Sequence, residues 1–329
     1  MIKLSDYLYS GDTLFRIIHK YSEDLKASAL ENHNQVDLAH SNFLIGISEL
    51  LEHNDFLTSQ SQRIREFYKY MTQQYPFLAF TFKGRIKSLI RAEEKFNGYI
   101  VEAIYDNHMA GLNPPTDMEL KNRVKRFRDL IAYRIVISMP KCHLKEGQDR
   151  TELEKNYLYE IANCLPEFLE ERGFSPVFAG KDWENSSRLL NENARPYYRD
   201  YVANPKKRGY QSLHITFYDN LARCYVELQL RTKDMDDYAE IGKANHTDYE
   251  KRQENERARR EAIPEGENLY FDEALERIST LQQLDLSKID VNMFAAMDNH
   301  LINDGCGLYR GRQILPYEHL SRFQNDLID

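Results

Sequence analysis

Apolar and polar positions along the chain repeat with a helical period first, then with mixed periods, then with the two-residue period of a strand. The first ~75 residues carry the helical period. In "SNFLIGISELLEHNDFL", Ser41 stands as a candidate N-cap, and Phe43, Ile47, Leu50 and Leu51 fall on one helical face. "TFKGRIKSLIRAEEKFNGYI" predicts a short strand that turns into a helix near Ser88. "DLIAYRIVIS", rich in β-branched and aromatic residues and ended by Pro140, predicts a strand. "NYLYEIANCLPEFLEERGF" predicts an amphipathic helix stopped by Gly173. A hairpin turning at Asp219-Asn220 is expected over "SLHITFYDNLARCYVELQLRT", followed by a long, increasingly charged helix from Asp234. "IPEGEN", residues 263–268, combines Pro, Gly and charge and marks a boundary. The expected organisation is a helical region over 1–77, a mixed α and β domain over 78–262, and a small helical extension over 263–329.

Composition changes this picture little. Hydrophobic content of 42% and charged content of 29% suit a soluble globular protein. With a mean hydropathy of −0.67, the chain has no apolar run long enough to span a bilayer. "MIKLSDYLYSGDTLF" lacks the basic-then-apolar pattern of a secretory signal, so a cytoplasmic location without a membrane partner is expected. Cys142, Cys164, Cys224 and Cys306 form no C-x-x-C pair and no zinc-finger spacing, and read as isolated thiols.

Charge changes it more. The formal net charge is −8, yet residues 121–134 hold Lys121, Arg123, Lys125, Arg126, Arg128 and Arg134 against Asp129, a net of +5. Residues 195–210 hold Arg195, Arg199, Lys206, Lys207 and Arg208 against Asp200, a net of +4. Residues 83–95 carry +3, from Lys83, Arg85, Lys87, Arg91 and Lys95 against Glu93 and Glu94. Three basic clusters in an acidic protein point to a local anion site rather than to general affinity for nucleic acid.

In "CYVELQLRT", alternation places Val226, Leu228 and Leu230 on one strand face and Glu227, Gln229 and Arg231 on the other. That polar face suits either an edge strand turned to water or a functional cleft. Asp129, at the start of the other apolar strand, is placed either to pair with Arg126 or Arg128 or to join a second carboxylate. Two such carboxylates suit Mg²⁺, which takes one or two of them with waters and substrate phosphates. Arg85 and Lys87 share a strand face by parity, and Ser88, Arg91 and Lys95 then follow on one helical face. Glu93 and Glu94 fit a solvated stripe there, whereas a helix N-terminus beside these cations fits phosphate.

Taken in order, "GRIK", "FRDLIAYRIV", "DYVANPKKRGYQSLHITF", "VELQLRT" and "MDDYAEIGKANH" resemble the synthetase domain of the RelA/SpoT family of alarmone synthetases, over roughly residues 78–252. The resemblance implies an α+β, nucleotidyltransferase-like fold: a mixed β-sheet flanked by helices, here with helical N- and C-terminal extensions. It implies a (p)ppGpp synthetase that transfers pyrophosphate from ATP to the 3′-hydroxyl of GDP or GTP and releases AMP. Asp129 and Glu227 then become Mg²⁺ ligands, with Glu227 also the candidate base. Arg85, Lys87, Lys95 and Arg199 go to ATP. Lys206, Tyr210, Gln211, His214, Arg231 and Glu240 go to the acceptor nucleotide, with the Tyr210 ring stacking on its base. The sequence departs from the family pattern at Arg91, Tyr197 and Arg208. None of its ten histidines precedes an aspartate, so the metal-binding His-Asp of the family's hydrolase domain is not expected. The alternatives are a toxic family member acting on adenosine nucleotides or the tRNA 3′ end, and a catalytically degenerate nucleotide-binding regulator. Homo-oligomerisation is a further expectation from the resemblance.

Overall fold

The structure is a computed structural model that describes residues 1–52, 54–124, 127–206, 209–241, 256–285, 289, 308–309 and 312–314. Its elements begin with α1 (Leu14–Glu31), α2 (Gln35–Glu52), α3 (Asn54–Gln74), β1 (Ala79–Ile86), α4 (Leu89–Met109), α5 (Asp117–Val124), β2 (Ile131–Ser138) and α6 (Arg150–Glu170). They continue with β3 (Phe174–Pro176), β4 (Tyr198–Asp200), β5 (Leu213–Asp219), β6 (Cys224–Thr232) and α7 (Lys233–Ile241). Last come α8 (256–262), α9 (Leu269–Gln282), β7 (Leu308–Tyr309) and β8 (Arg312–Ile314). Two compact units interleave along the chain. A helical unit takes Met1–His53, Lys87–Phe127 and Asn245–Met297, and a sheet unit takes Asn54–Ile86, Arg128–Ala244 and Asp298–Asp329.

In the helical unit, α1 and α2 pack as a pair. Asn34, not Ser41, caps α2: its Oδ1 accepts from the N–H groups of Val36 (3.0 Å) and Asp37 (2.9 Å). The apolar period already begins at Val36, so Ser41 falls inside the helix, buried, and its hydroxyl donates to the Ser22 carbonyl at 2.8 Å. The core joins Phe96, Ile100 and Ile104 of α4 to Leu120 of α5 and to Phe271 and Leu275 of α9. Buried polar ties run through it. Arg277 donates both terminal nitrogens to the Asp37 carboxylate at 2.7 and 2.8 Å. Glu93 receives the Tyr21 hydroxyl at 2.7 Å and meets His40 Nε2, also at 2.7 Å.

The sheet unit is a mixed sheet flanked by helices, as expected. Among the described residues its strand order is β3-β5-β6-β2-β1-β8-β7, with β4 on β5. The β2–β6 pair is parallel, with Ala132 opposite Glu227 and Arg134 opposite Gln229. The other pairs are antiparallel. Helix α3 packs on β1 and α6 on β2 and β6, and the Tyr133 hydroxyl of β2 donates to Gln60 Oε1 of α3 at 3.2 Å. Strands β5 and β6 form the hairpin predicted around Asp219-Asn220. Because β6 lies between β5 and β2, the edge-strand reading of its polar face is wrong: Glu227, Gln229 and Arg231 are all buried.

Three further differences follow from where elements stop. Strand β1 ends at Ile86, so Lys87 does not share a strand face with Arg85. In the expected helical extension, α9 is helical, but Leu308–Tyr309 and Arg312–Ile314 form a short hairpin whose β8 pairs with β1. Of the long charged helix expected from Asp234, residues 234–241 and 256–262 are helical, and 242–255 lie outside the described residues. No described helix is long and apolar enough to cross a membrane.

Candidate active site

Antiparallel pairing places Arg199 of β4 opposite His214 of β5, and His214 opposite Gln229 of β6. Gln229 in turn lies opposite Arg134 of β2. Cross-strand partners share a sheet face, so four polar side chains form one row across four strands. Glu227 stands one pleat along, between Thr216 and Ala132. Asp129 lies two residues ahead of β2, whose Ile131 pairs with Val226, the neighbour of Glu227. The register therefore brings both predicted carboxylates to one end of the β2–β6 pair.

Glu227 is held from both sides. Its Oε1 accepts from Gln229 Nε2 at 2.7 Å. Its Oε2 lies 3.4 Å from His214 Nδ1 and 3.9 Å from an Arg199 nitrogen. On the far side of the imidazole, Nε2 meets the Tyr210 hydroxyl at 2.9 Å, and that hydroxyl accepts from Arg231 at 2.6 Å. Burial pushes the His214 pKa down, with the Lys206 and Arg231 charges in the same sense, against the pull of Glu227. A neutral His214 gives the relay one direction: Arg231 donates to Tyr210, Tyr210 to His214 Nε2, and His214 Nδ1–H to Glu227. Burial alone would raise the Glu227 carboxyl, but the hydrogen bonds from His214 and Gln229 and the Arg199 charge hold it well below the usual carboxylate range. The group is a buried, ionised carboxylate.

The basic loop beside it is shaped by Asp200. One oxygen accepts from the Val202 and Ala203 N–H groups at 3.0 and 2.9 Å, and the other from Ser187 N–H at 2.9 Å. The loop then closes on itself, with the Gly209 N–H donating to the Lys206 carbonyl at 3.0 Å and Gly209 at φ +76°. Lys206 Nζ sits 3.9 Å from the centre of the Tyr201 ring, and that ring meets His214 edge-on at 5.1 Å.

The predicted residues divide accordingly. Arg199, Tyr210, His214, Glu227 and Arg231 come together, with Lys206 over Tyr201. Gln211 turns aside and donates to the Val202 carbonyl at 3.2 Å. Lys87 and Lys95 belong to the helical unit, where their ammonium groups lie 5.9 and 5.4 Å from the centre of the Phe127 ring. Arg85 is paired with Ala132 in β1, and only its place in the strand is described. Glu240 lies in α7, with its side chain outside the described residues, as are Lys207 and Arg208. Sequence reasoning placed Gln229 on the polar face without giving it a role, and missed Tyr201 and Asp236. The last lies buried in α7, where it accepts from both Arg134 and Arg231. Its signal was Arg134 itself, a lone arginine inside an apolar strand that needs a buried partner.

Among the described residues, no group of three or more His, Cys, Asp or Glu side chains is arranged for a metal ion. By register, Asp129 and Glu227 are the two predicted carboxylates at this end of the β2–β6 pair.

Residues 180–254 match the family profile described as "Region found in RelA / SpoT proteins". These residues are similar to a RelA/SpoT region. The matched stretch contains Arg199, Lys206, Tyr210, Gln211, His214, Glu227, Arg231 and Glu240, while Arg85, Lys87, Lys95 and Asp129 precede it. Among curated proteins, a probable guanosine-3′,5′-bis(diphosphate) 3′-pyrophosphohydrolase of Mycoplasma genitalium is 41% identical over 58 residues, 18% of this chain and 8% of that protein. The GTP pyrophosphokinase of Escherichia coli K12 is 50% identical over 50 residues, 15% of this chain and 7% of that protein. The matches thus span less than a tenth of either relative's length. The small alarmone synthetase 2 of Bacillus subtilis aligns at 18% identity over 71% of this chain and 94% of its own, with a TM-score of 0.33. The RelA/SpoT likeness is one of sequence, over residues 180–254.

Proposed function

We propose that this chain is a (p)ppGpp synthetase, transferring pyrophosphate from ATP to the 3′-hydroxyl of GDP or GTP and releasing AMP. The observation that carries the reading is Glu227: a buried carboxylate whose two oxygens are met by Gln229 and His214, within the residues that match the RelA/SpoT profile. In the reaction the acceptor's 3′-oxygen bonds to the β-phosphorus of ATP, and the bond from that phosphorus to the oxygen bridging to the α-phosphate breaks. AMP keeps the bridging oxygen, and Glu227 accepts the hydroxyl proton. Such transfers depend on positioning and charge neutralisation more than on covalent catalysis. His214 and Gln229 hold the carboxylate so that its remaining lone pairs face the hydroxyl. Arg199, beside it, neutralises phosphate charge. Lys206 takes acceptor phosphate, and Tyr210 offers its ring to the acceptor base. Arg85, Lys87 and Lys95 take ATP phosphates.

The carboxylates of Asp129 and Glu227 fit Mg²⁺, a hard cation that takes one or two such oxygens and completes its shell with water and phosphate. Bound there, Mg²⁺ would neutralise charge on the transferring phosphates.

The test offers purified protein γ-labelled ATP with Mg²⁺ and, separately, GDP, GTP, ADP, ATP and deacylated tRNA. Label is expected on GDP and GTP. Label only on adenosine nucleotides or tRNA, or on nothing, would overturn the proposal.

A further inference from the structure

Asp236 sits in the first turn of α7 and is 4% exposed. Its Oδ1 accepts from Arg134 at 2.8 Å and from Arg231 at 3.1 Å, so two buried guanidinium groups converge on one carboxylate oxygen. Side by side in a buried place, those cations repel, and burial together with the Arg134 charge depresses the Arg231 pKa. Arg231 spends its other donors toward the site. Nε points to Ser212 Oγ at 3.4 Å, and the second terminal nitrogen donates to the Tyr210 hydroxyl at 2.6 Å and to Gln229 Oε1 at 2.9 Å.

Those last two acceptors lead by separate routes to the two oxygens of Glu227. Gln229 reaches Oε1 directly, and Tyr210 reaches Oε2 through His214. A guanidinium is planar and its donors are fixed relative to one another, so fixing one terminal nitrogen sets the direction of the other.

We propose that Asp236 is a positioning residue, which aims the Arg231 guanidinium at Tyr210 and Gln229 and so sets the orientation of Glu227. Its hydrogen bonds to Arg134 and Arg231 lie one residue removed from the Glu227 carboxylate and its direct partners. The proposal rests on the reading of Glu227 as proton acceptor.

The experiment compares wild type, Asp236→Asn, and the double variant Arg134→Gln/Asp236→Asn. The single change leaves two buried cations without their carboxylate and lowers Tm. The double change removes one cation with the anion, so Tm recovers. If Asp236 only balanced charge, kcat would recover as well. A positioning role leaves kcat of the double variant about a hundredfold low, with the KM for ATP within about twofold of wild type. Recovery of kcat together with Tm would overturn the proposal.

A second readout needs no turnover. Side-chain ¹⁵N NMR of wild type is expected to show a slowly rotating Arg231 guanidinium with resolved N–H signals. In the double variant these average, while those of Arg63, held by Asp219 at 2.7 Å, persist. Unchanged Arg231 signals in the double variant would also overturn the proposal. Should wild type make no pyrophosphorylated nucleotide, the proposed function fails, and the arginine signals still decide whether Asp236 aims Arg231.

Discussion

Tyr210 does two separable things, and two substitutions separate them. Its hydroxyl is a link in the relay between Arg231 and His214, and under the proposed function its ring is the surface offered to the acceptor base. Tyr210→Phe keeps the ring and removes the link. His214 Nε2 then loses its donor, and the Arg231 nitrogen keeps only Gln229. A neutral hydrogen bond is worth about 1 kcal/mol net and one to a charged group about 1.5–3. Tyr210 is only half-buried, so water replaces part of both. The expected loss is about 2 kcal/mol of stability, or roughly 4–8 °C in Tm. If about 1.4 kcal/mol of that holding acts in the transition state, kcat falls tenfold. The acceptor KM should stay near wild type, because the ring is intact. Tyr210→Ala also removes stacking worth ~1–3 kcal/mol, which raises acceptor KM by roughly one to two orders of magnitude. Steady-state kinetics over GDP or GTP at saturating ATP, with thermal unfolding in parallel, measures both. A Tyr210→Phe enzyme with wild-type kcat and an acceptor KM as high as that of Tyr210→Ala would refute the relay.

Gly209→Ala places a side chain at φ +76° with its Cβ 3.4 Å from the Tyr238 hydroxyl, at a cost of about 1–2 kcal/mol; acceptor KM should rise while the ATP KM holds. Burial would raise the Glu93 pKa, but the His40 charge and hydrogen bond, the Arg277 charge and the Tyr21 hydrogen bond outweigh it, so the folded-state value lies below the unfolded one. Its stabilisation is therefore present above about pH 4.3 and is lost as pH falls below that. The unfolding free energy from urea titrations should fall less between about pH 6 and pH 3 in Glu93→Gln than in wild type. Burial pushes the Cys224 thiol up to about 11, whereas Cys142 is exposed. Iodoacetamide followed by peptide mass spectrometry should find Cys142 alkylated well before Cys224.

The alternation in "CYVELQLRT" was legible because side-chain parity is a local property of a strand. Whether that strand lay at an edge or in the middle was not legible, because the same alternation serves both and the answer depends on β2, about ninety residues earlier. The two carboxylates were likewise visible as residue types, but their place at one end of the β2–β6 pair needed the parallel register. Ser41 failed as a cap because Asn34 offered an equally good oxygen where the apolar period really starts. Lys87 failed on parity because β1 stops one residue short. Asp236 was hidden in a charged run that reads as solvated until two strands deliver their arginines to it.

The order in which the helical unit is written along the chain bears on how the protein is made. Phe271 and Leu275 of α9 close the core over Phe96, Ile100 and Ile104 of α4, and Arg277 reaches back to the Ile2 carbonyl at 3.1 Å. On the ribosome, α4 emerges long before α9 is synthesised. The part of its apolar face that α9 covers stays open while the whole sheet segment through β6 is translated, and the N-terminal residues wait still longer for Arg277. Nascent chains stalled before α9 should therefore be bound by holdase chaperones and cut by proteases. Release should follow once α9 clears the exit tunnel.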